Sequence, residues 1–545
     1  MTAEQYDYII VGAGSSGCVL ADRLSADGRS RVLLIEAGGR NETELVNMPR
    51  AFMKMFGNPT HFWHFPVREQ AGRPAGEVWP YGRGLGGSSS TNGTWYMRGM
   101  PADYDGWPAA EWCWTEISRC FAEMESYQAP DAHESRGRDG PLEITQLPYR
   151  SPAIAATIEA GVEMGLPRLP DINTPGTIGI GYTQASVSRR GRRASSYQAF
   201  LKPAMRRPNL KVMTDALVER VVIEAGRAAG VSIRTEAGGR TIEARHEVIL
   251  SAGALQSPKL LQLSGIGPRE TLEQANVAVK QDLPAVGRNL ADHAMFSISY
   301  RLMNDPGANR EFSGWRLWSH VLRYYLTRKG LMAYTSPEVT ALLSLHGRED
   351  WPDVQFGIGP FSMRSSEERK ADPGRGALEE KPGITVNAIA LRPKSRGSVA
   401  ITSADVADPL DIDANWWGDP ADKAFMIEMV RLVRRYMRQP ALARFVGEEV
   451  VPGAKIETDE EIGTALEWLT SPGIHATGTC RMGAAEDSVV DGRLRVHGVQ
   501  GLRVADCSIM PLPPAGNTNG PAMVIGWRAA ELILEDRDDP RPGLA

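Results

Sequence analysis

The chain has 545 residues, 61 of them basic and 66 acidic, for a formal net charge of −5. A charged fraction of 23% of mixed sign beside 42% hydrophobic residues excludes a disordered chain, and the acidic balance argues against a partner made of nucleic-acid phosphates. The 5 cysteines, odd in number and without a Cys-x-x-Cys pair, argue against a disulfide framework and against a bound structural metal.

Residues 6–11 form an apolar, β-branched run that ends in Gly12, residues 15–24 read as a helix, and residues 31–35 form a second apolar run. This predicts a βαβ opening. Residues 131–140 and 365–382 are charged and carry glycine and proline, as loops or lids do. Residues 210–250 predict strands with turns at Ala225-Gly226 and Gly238-Gly239, and residues 494–504 a further strand-rich stretch divided at Gly498. Phe425, Met429, Leu432 and Tyr436 recur at helical spacing within residues 421–437. The acidic, proline-rich residues 536–545 are expected to fray. No uninterrupted apolar stretch reaches the roughly 18 residues of a membrane span, and the first residues lack the pattern of a secretory signal, so the expected setting is cytoplasmic.

Gly12-Ala13-Gly14-Ser15-Ser16-Gly17 is a G-x-G-x-x-G between strand and helix, and Glu36 follows Gly17 by 19 residues with Ala37 beside it. That context marks a dinucleotide site. Gly12 permits a tight turn, Gly14 lets backbone N–H groups approach a pyrophosphate, and Gly17 lets helix and strand pack closely. Ser15 and Ser16 stand at the helix N-terminus, which favours an anion, and Glu36 is placed to accept from ribose hydroxyls. The motif alone leaves NAD and FAD both open.

Four further segments resemble the glucose-methanol-choline (GMC) oxidoreductase family of flavoenzymes. Residues 82–92 (GRGLGGSSSTN) resemble its first signature, residues 253–267 (GALQSPKLLQLSGIG) its second, residues 286–293 its V-G-x-N-L-x-D-H, and residues 475–521 its C-terminal block. The resemblance implies FAD, held by Arg83, Gly86, Gly87, Ser88, Asn92 and Thr94 of the first signature, with Trp63, Val218, Asp506 and Gly520 also at the cofactor. Some relatives bond the flavin covalently through a histidine where this chain has Thr91. Threonine has no ring nitrogen, so non-covalent FAD is expected.

Alcohol oxidation needs a base for the hydroxyl proton, a donor to hold the alkoxide, and an acceptor for the hydride. An imidazole serves the first near neutral pH and an amide the second. By resemblance His475 is the base, Asn519 its hydrogen-bonding partner and flavin N5 the acceptor, while His293 is structural. No metal is implied. The expected fold is α/β (α+β overall): a Rossmann-like FAD-binding domain of residues 1–147, 209–302 and 470–545, with a discontinuous substrate domain of residues 148–208 and 303–469 on an antiparallel sheet with helices. Trp315, Trp318, Tyr324, Tyr325, Phe361, Trp416 and Trp417 are candidates for an apolar pocket. With no obvious acidic cluster for a cationic substrate, the expected partner is an aromatic or other bulky neutral primary alcohol, with O2 or an artificial or respiratory electron acceptor. A flavin-dependent lyase or photodecarboxylase, or a non-catalytic FAD-binding sensor, are the alternatives.

Overall fold

A computed structural model describes residues 4–348, 350–364, 378–484 and 486–538. Of the expected loop 365–382, residues 365–377 lie outside the described residues, as do residues 539–545 of the tail.

Strand β1 (Gln5–Val11) is buried at all but its first position, which suits a strand covered on both faces of a parallel sheet. Helix α1 (Ser15–Leu24) follows, and strand β2 (Val32–Ile35) pairs parallel with β1. Strand Leu210–Met213 extends the sheet beyond β2. The 13-residue strand Gly238–Leu250 has two roles. Its last residues run parallel to β1 and to strand Leu502–Val504, whereas its first residues pair antiparallel with strand Arg227–Thr235, itself the hairpin partner of Leu217–Glu224. Val11, Ile35, Leu250 and Val504 therefore end at one edge of a seven-stranded sheet. Ligands of such sheets bind outside the carboxyl ends of the strands.

A second seven-stranded sheet is antiparallel, in the order Val446–Val451, Ala294–Leu302, Gly383–Ala390, Val354–Gly359, Val339–Leu343, Gly179–Tyr182, with Ser471–Pro472 added beside Ala294–Leu302. Helix Pro420–Met437 turns Met426, Met429, Val433 and Tyr436 into the core of this half.

Several expectations shift. Ala294–Leu302, assigned by sequence to the cofactor unit, pairs along its length in the antiparallel sheet. Tyr197, Phe200 and Leu201, assigned to the substrate unit, pack in the same apolar core as α1. Within residues 494–504 only Leu502–Val504 is a strand, because Leu494, Gly498 and Gly501 take positive φ and break the extended run. The last helix, Asn519–Asp538, takes in the first three residues of the tail expected to fray, where Asp536 binds the guanidinium groups of Arg493, Arg495 and Arg503, which hold its carboxyl down to about 2.

Beyond the first glycine loop the chain is pinned by a buried charge cluster. Glu125 accepts from Arg98 and from Arg136 at 2.7 Å, and Arg136 reaches Asp171 at 2.8 Å. All these side chains are buried, and the two guanidinium groups keep the Glu125 carboxyl at about 2 against the burial that would raise it.

Candidate active site

One continuous cavity of about 1930 Å³, counting its open mouth, runs along the carboxyl edge of the parallel sheet. Its walls come from the first, middle and last parts of the chain.

At one end lie Gly12, Gly14, Ser15, Ser16, Glu36, Ala37, Val218 and Asp506. Gly12 has φ +100°, and a Cβ there would meet the Ser251 carbonyl oxygen at 2.6 Å, so only glycine makes this turn. A Cβ on Gly14 would have its nearest atom 3.8 Å away, and one on Gly253 none within 4 Å. Both would project into the cavity, where an anionic group can instead approach bare backbone at the α1 N-terminus, which no side chain caps. This cradle fits a pyrophosphate. Glu36 fixes its shape: one carboxylate oxygen accepts from Ala13 N–H at 2.9 Å, and the other from Gly38 N–H at 2.9 Å and Gly84 N–H at 3.0 Å. Asp506 has a similar task, accepting from Gly253 N–H, Ser508 N–H and the Ser257 hydroxyl. Val218 lies where a bulge interrupts the ladder with Arg227–Thr235.

The middle of the cavity is walled by Trp63, Gly87, Ser88, Thr91, Asn92 and Thr94. Arg83, Gly86, Gly17 and Gly520, also expected at the cofactor, stand behind the wall. The Arg83 guanidinium lies 4.7 Å from the Trp63 ring centre and donates to the Ala37 carbonyl. Gly86 donates to the Ala13 carbonyl, joining the two glycine loops. Gly17 and Gly520 permit close packing, since a Cβ would sit 2.0 Å from the Gly12 oxygen and 2.5 Å from the Met97 oxygen respectively.

The far end holds His475. Its Nε2 lies 3.1 Å from the side-chain nitrogen of Asn517, and its Nδ1 lies 3.1 Å from Nδ1 of His293. Burial lowers the His475 pKa to about 4, so the ring is neutral at neutral pH. Burial also pushes His293 well below its ordinary value. Asn519, expected as the partner of His475, is elsewhere: it opens the last helix, and its side-chain oxygen accepts from the Ser15 hydroxyl at 2.8 Å, at the anion cradle. Asn517, two residues earlier and still in the loop, makes the contact instead. Gln355 of the antiparallel sheet lies 3.5 Å from the Asn517 side-chain oxygen, which turns the amide nitrogen towards the imidazole. With that nitrogen donating to Nε2, the ring proton sits on Nδ1 and points at His293.

Both loops are held under tension. Asp292, buried, accepts from the backbone N–H of Ile474 at 3.2 Å and of His475 at 2.8 Å. Ile474 and Thr94, both β-branched and both lining the cavity, take φ +59°. Such residues cost of order 1–3 kcal/mol each and persist only where surrounding contacts hold them. Asp103 holds the other loop by accepting from Met100 N–H and Ala515 N–H. Asn517, Asp292, Gln355 and Asp103 were given no role by sequence reasoning; Asn517, beside a named residue in a matched block, and Asp292, within the matched segment 286–293, carried a signal that could have found them.

The aromatic wall is also not the expected one. Phe52, Phe56, Phe62, Phe65, Tyr81 and Trp95 line the cavity. Trp416 and Tyr324 are core side chains, Trp417 and Phe361 stand off the cavity, and Trp315, Trp318 and Tyr325 face solvent. Cys480 is fully buried, and burial pushes its thiol well up, which removes it as a nucleophile.

Comparison with known proteins agrees with this geometry. Sequence models of the two GMC oxidoreductase domains match residues 6–295 and 393–526. The chain is 37% identical over 538 residues to an oxygen-dependent choline dehydrogenase of Photobacterium profundum, covering 97% of this chain and 93% of that one. It is 36% identical over 540 residues to an alcohol dehydrogenase [acceptor] of Pseudomonas putida, covering 98% and 96%. Among solved structures, pyridoxine 4-oxidase from Mesorbium loti superposes with a TM-score of 0.85 at 30% identity over 97% of this chain and 99% of that one. The chain therefore belongs to the GMC oxidoreductase family and is an FAD-dependent alcohol oxidoreductase.

Proposed function

We propose that this enzyme oxidises a neutral, aromatic or otherwise bulky primary alcohol to its aldehyde, with His475 as general base and Asn517 as the hydrogen-bond donor to the substrate oxygen. The observation that carries the reading is the convergence of His475 Nε2 and the Asn517 amide, 3.1 Å apart, on the cavity that the glycine loops line. FAD, when bound, supplies the hydride acceptor. The chain does the rest. Nε2 takes the hydroxyl proton, the Asn517 N–H holds the developing alkoxide without competing for that proton, and the aromatic wall keeps water from the reacting oxygen. The His475 Nδ1–H against His293 keeps the Nε2 lone pair on the side of Asn517, where an incoming hydroxyl takes the place of the amide contact. Asn519, on the Ser15 hydroxyl, belongs with the groups that orient the cofactor's phosphates.

Thr91 supports non-covalent attachment: acid precipitation is expected to leave the flavin in the supernatant, and flavin retained in the pellet contradicts it. The neutral substrate is supported by the acids of the wall. Glu36 and Asp506 are the only acids among the described residues that line the cavity, and both stand at the end with the glycine turn, bound to backbone N–H groups, so no carboxylate of the wall stands beside His475 to face a quaternary ammonium. The names of the relatives make choline the competing substrate. Steady-state kcat/KM across benzylic and longer-chain primary alcohols and choline decides between them, with either O2 or an artificial acceptor reoxidising the enzyme. Higher kcat/KM for choline than for every neutral alcohol overturns the neutral reading.

A further inference from the structure

Helix Gly314–Thr327 wears its apolar side chains on two faces. At about 100° per residue, Leu317, Val321 and Tyr324 fall on one arc, and they pack on Met48, Ala51, Met332 and Ala333. Trp315, Trp318, Leu322, Tyr325 and Leu326 fall on a second arc about 100° wide. Among the described residues that arc covers nothing: the five are 75%, 72%, 60%, 50% and 76% exposed. Isolated exposed apolar residues are ordinary, but a contiguous stripe headed by two tryptophans marks a docking face.

The chemistry flanking the stripe selects its partner. Between Asn309 and Gly330 the chain carries Arg310, Arg316, Arg323, Arg328 and Lys329 against Glu311 alone, a basic island on a protein of net charge −5. Arg316 and Arg328 bind Glu311 and Glu44, while Arg310, Arg323 and Lys329 have no carboxylate partner among the described residues. Arg316, Ser319, His320, Arg323 and Thr327 form the third, polar arc beside the stripe. A helix with tryptophan and leucine on one face and arginine beside it lies in the plane of a membrane interface and is drawn there by anionic headgroups. Its 14 residues are too few to cross a bilayer.

We propose that helix Gly314–Thr327 docks the enzyme on an anionic lipid surface. The helix that carries the patch packs on the segment leading to the active-site mouth. The buried arc rests on residues just before helix Phe52–Met55, where Met53 is 54% exposed and Phe56, 47% exposed, also lines the cavity. Alcohols that partition into the bilayer thus meet the mouth beside the surface that holds the protein.

The test is co-sedimentation of the full FAD-loaded chain with vesicles of phosphatidylcholine alone and of phosphatidylcholine mixed with phosphatidylglycerol. Binding is expected with the mixed vesicles and roughly tenfold weaker binding with the neutral ones. The triple substitution Trp315→Ser, Trp318→Ser, Leu326→Ser should abolish it while turnover of a water-soluble alcohol is unchanged. The pair Arg323→Glu, Lys329→Glu, on exposed positions, should weaken it and decides the matter if the triple variant does not fold. Wild-type protein that stays in the supernatant with both vesicles, or substitutions that leave pelleting unchanged, overturn the proposal. Sedimentation velocity without lipid separates the other occupant: a dimer that the same substitutions disperse assigns the face to a second copy of this chain and overturns lipid docking.

Discussion

Acidification is the sharpest perturbation of the proposed base. Burial lowers the His475 pKa to about 4, whereas an unperturbed imidazole titrates near 6.5. At pH about 5.5 the buried ring would still be about 97% neutral, but an ordinary one would keep only about a tenth of its base form. The assay is kcat/KM for a neutral alcohol, with acceptor saturating, from about pH 8 down to about pH 4.5, because this parameter reports groups of the free enzyme. The expected profile is level through pH 6.5 and falls only as the pH approaches the His475 value. A tenfold loss per unit beginning near pH 6.5 would show an imidazole in water, and would refute the argument that burial keeps His475 ready.

Asn517→Ala should lower kcat by about 10²–10³, the usual cost of one donor to a developing oxyanion, while Asn519→Ala should chiefly weaken FAD retention; the reverse pattern would return the partner role to Asn519. Asp292→Asn tests two opposed titrations in one loop. Burial raises the Asp292 carboxyl to about 7, so its contribution to stability falls as pH rises from about 4 to 7, whereas that of His475 is lost as pH falls from about 6.5 to 4. Asp292→Asn removes the first and leaves the second, to which the buried His293 adds, so the gap in Tm to wild type should widen on acidification; a gap independent of pH contradicts this. Glu125→Gln strands the buried Arg98 guanidinium, while Arg136 keeps Asp171, and should destabilise the fold by about 3–5 kcal/mol in denaturant unfolding, against which an unchanged midpoint would count.

What could be read from the sequence follows the range of the forces involved. The βαβ opening and its glycines were legible because a turn with φ +100° and a helix start are set by a few neighbouring residues. His475 was legible from its motif. The choice between Asn517 and Asn519 was not, since both stand in one short run and the decision is made by Ser15 and Gln355, 504 and 162 residues away along the chain. Asp103 looks like an ordinary surface acid, and Asp292 is one letter of a matched motif without a role, until the fold brings backbone N–H groups onto them. The aromatic assignment failed for a related reason. Trp315 and Trp318 have helical spacing whether their stripe faces a core or the outside, and only the packing of Leu317, Val321 and Tyr324 on the opposite arc shows that it faces out. Strands Val339–Leu343 and Val354–Gly359 of the antiparallel sheet, buried at every position, lack the alternation that would have announced them.

The central claim is that His475 removes the proton that permits hydride transfer to FAD. Anaerobic rapid mixing of the FAD-loaded enzyme with a reactive alcohol measures this directly, through loss of the oxidised flavin absorbance. Wild type should bleach within a turnover, and His475→Ala, carrying the same amount of FAD, should bleach at least about 10²-fold more slowly. Equal rates in the two proteins would contradict the account.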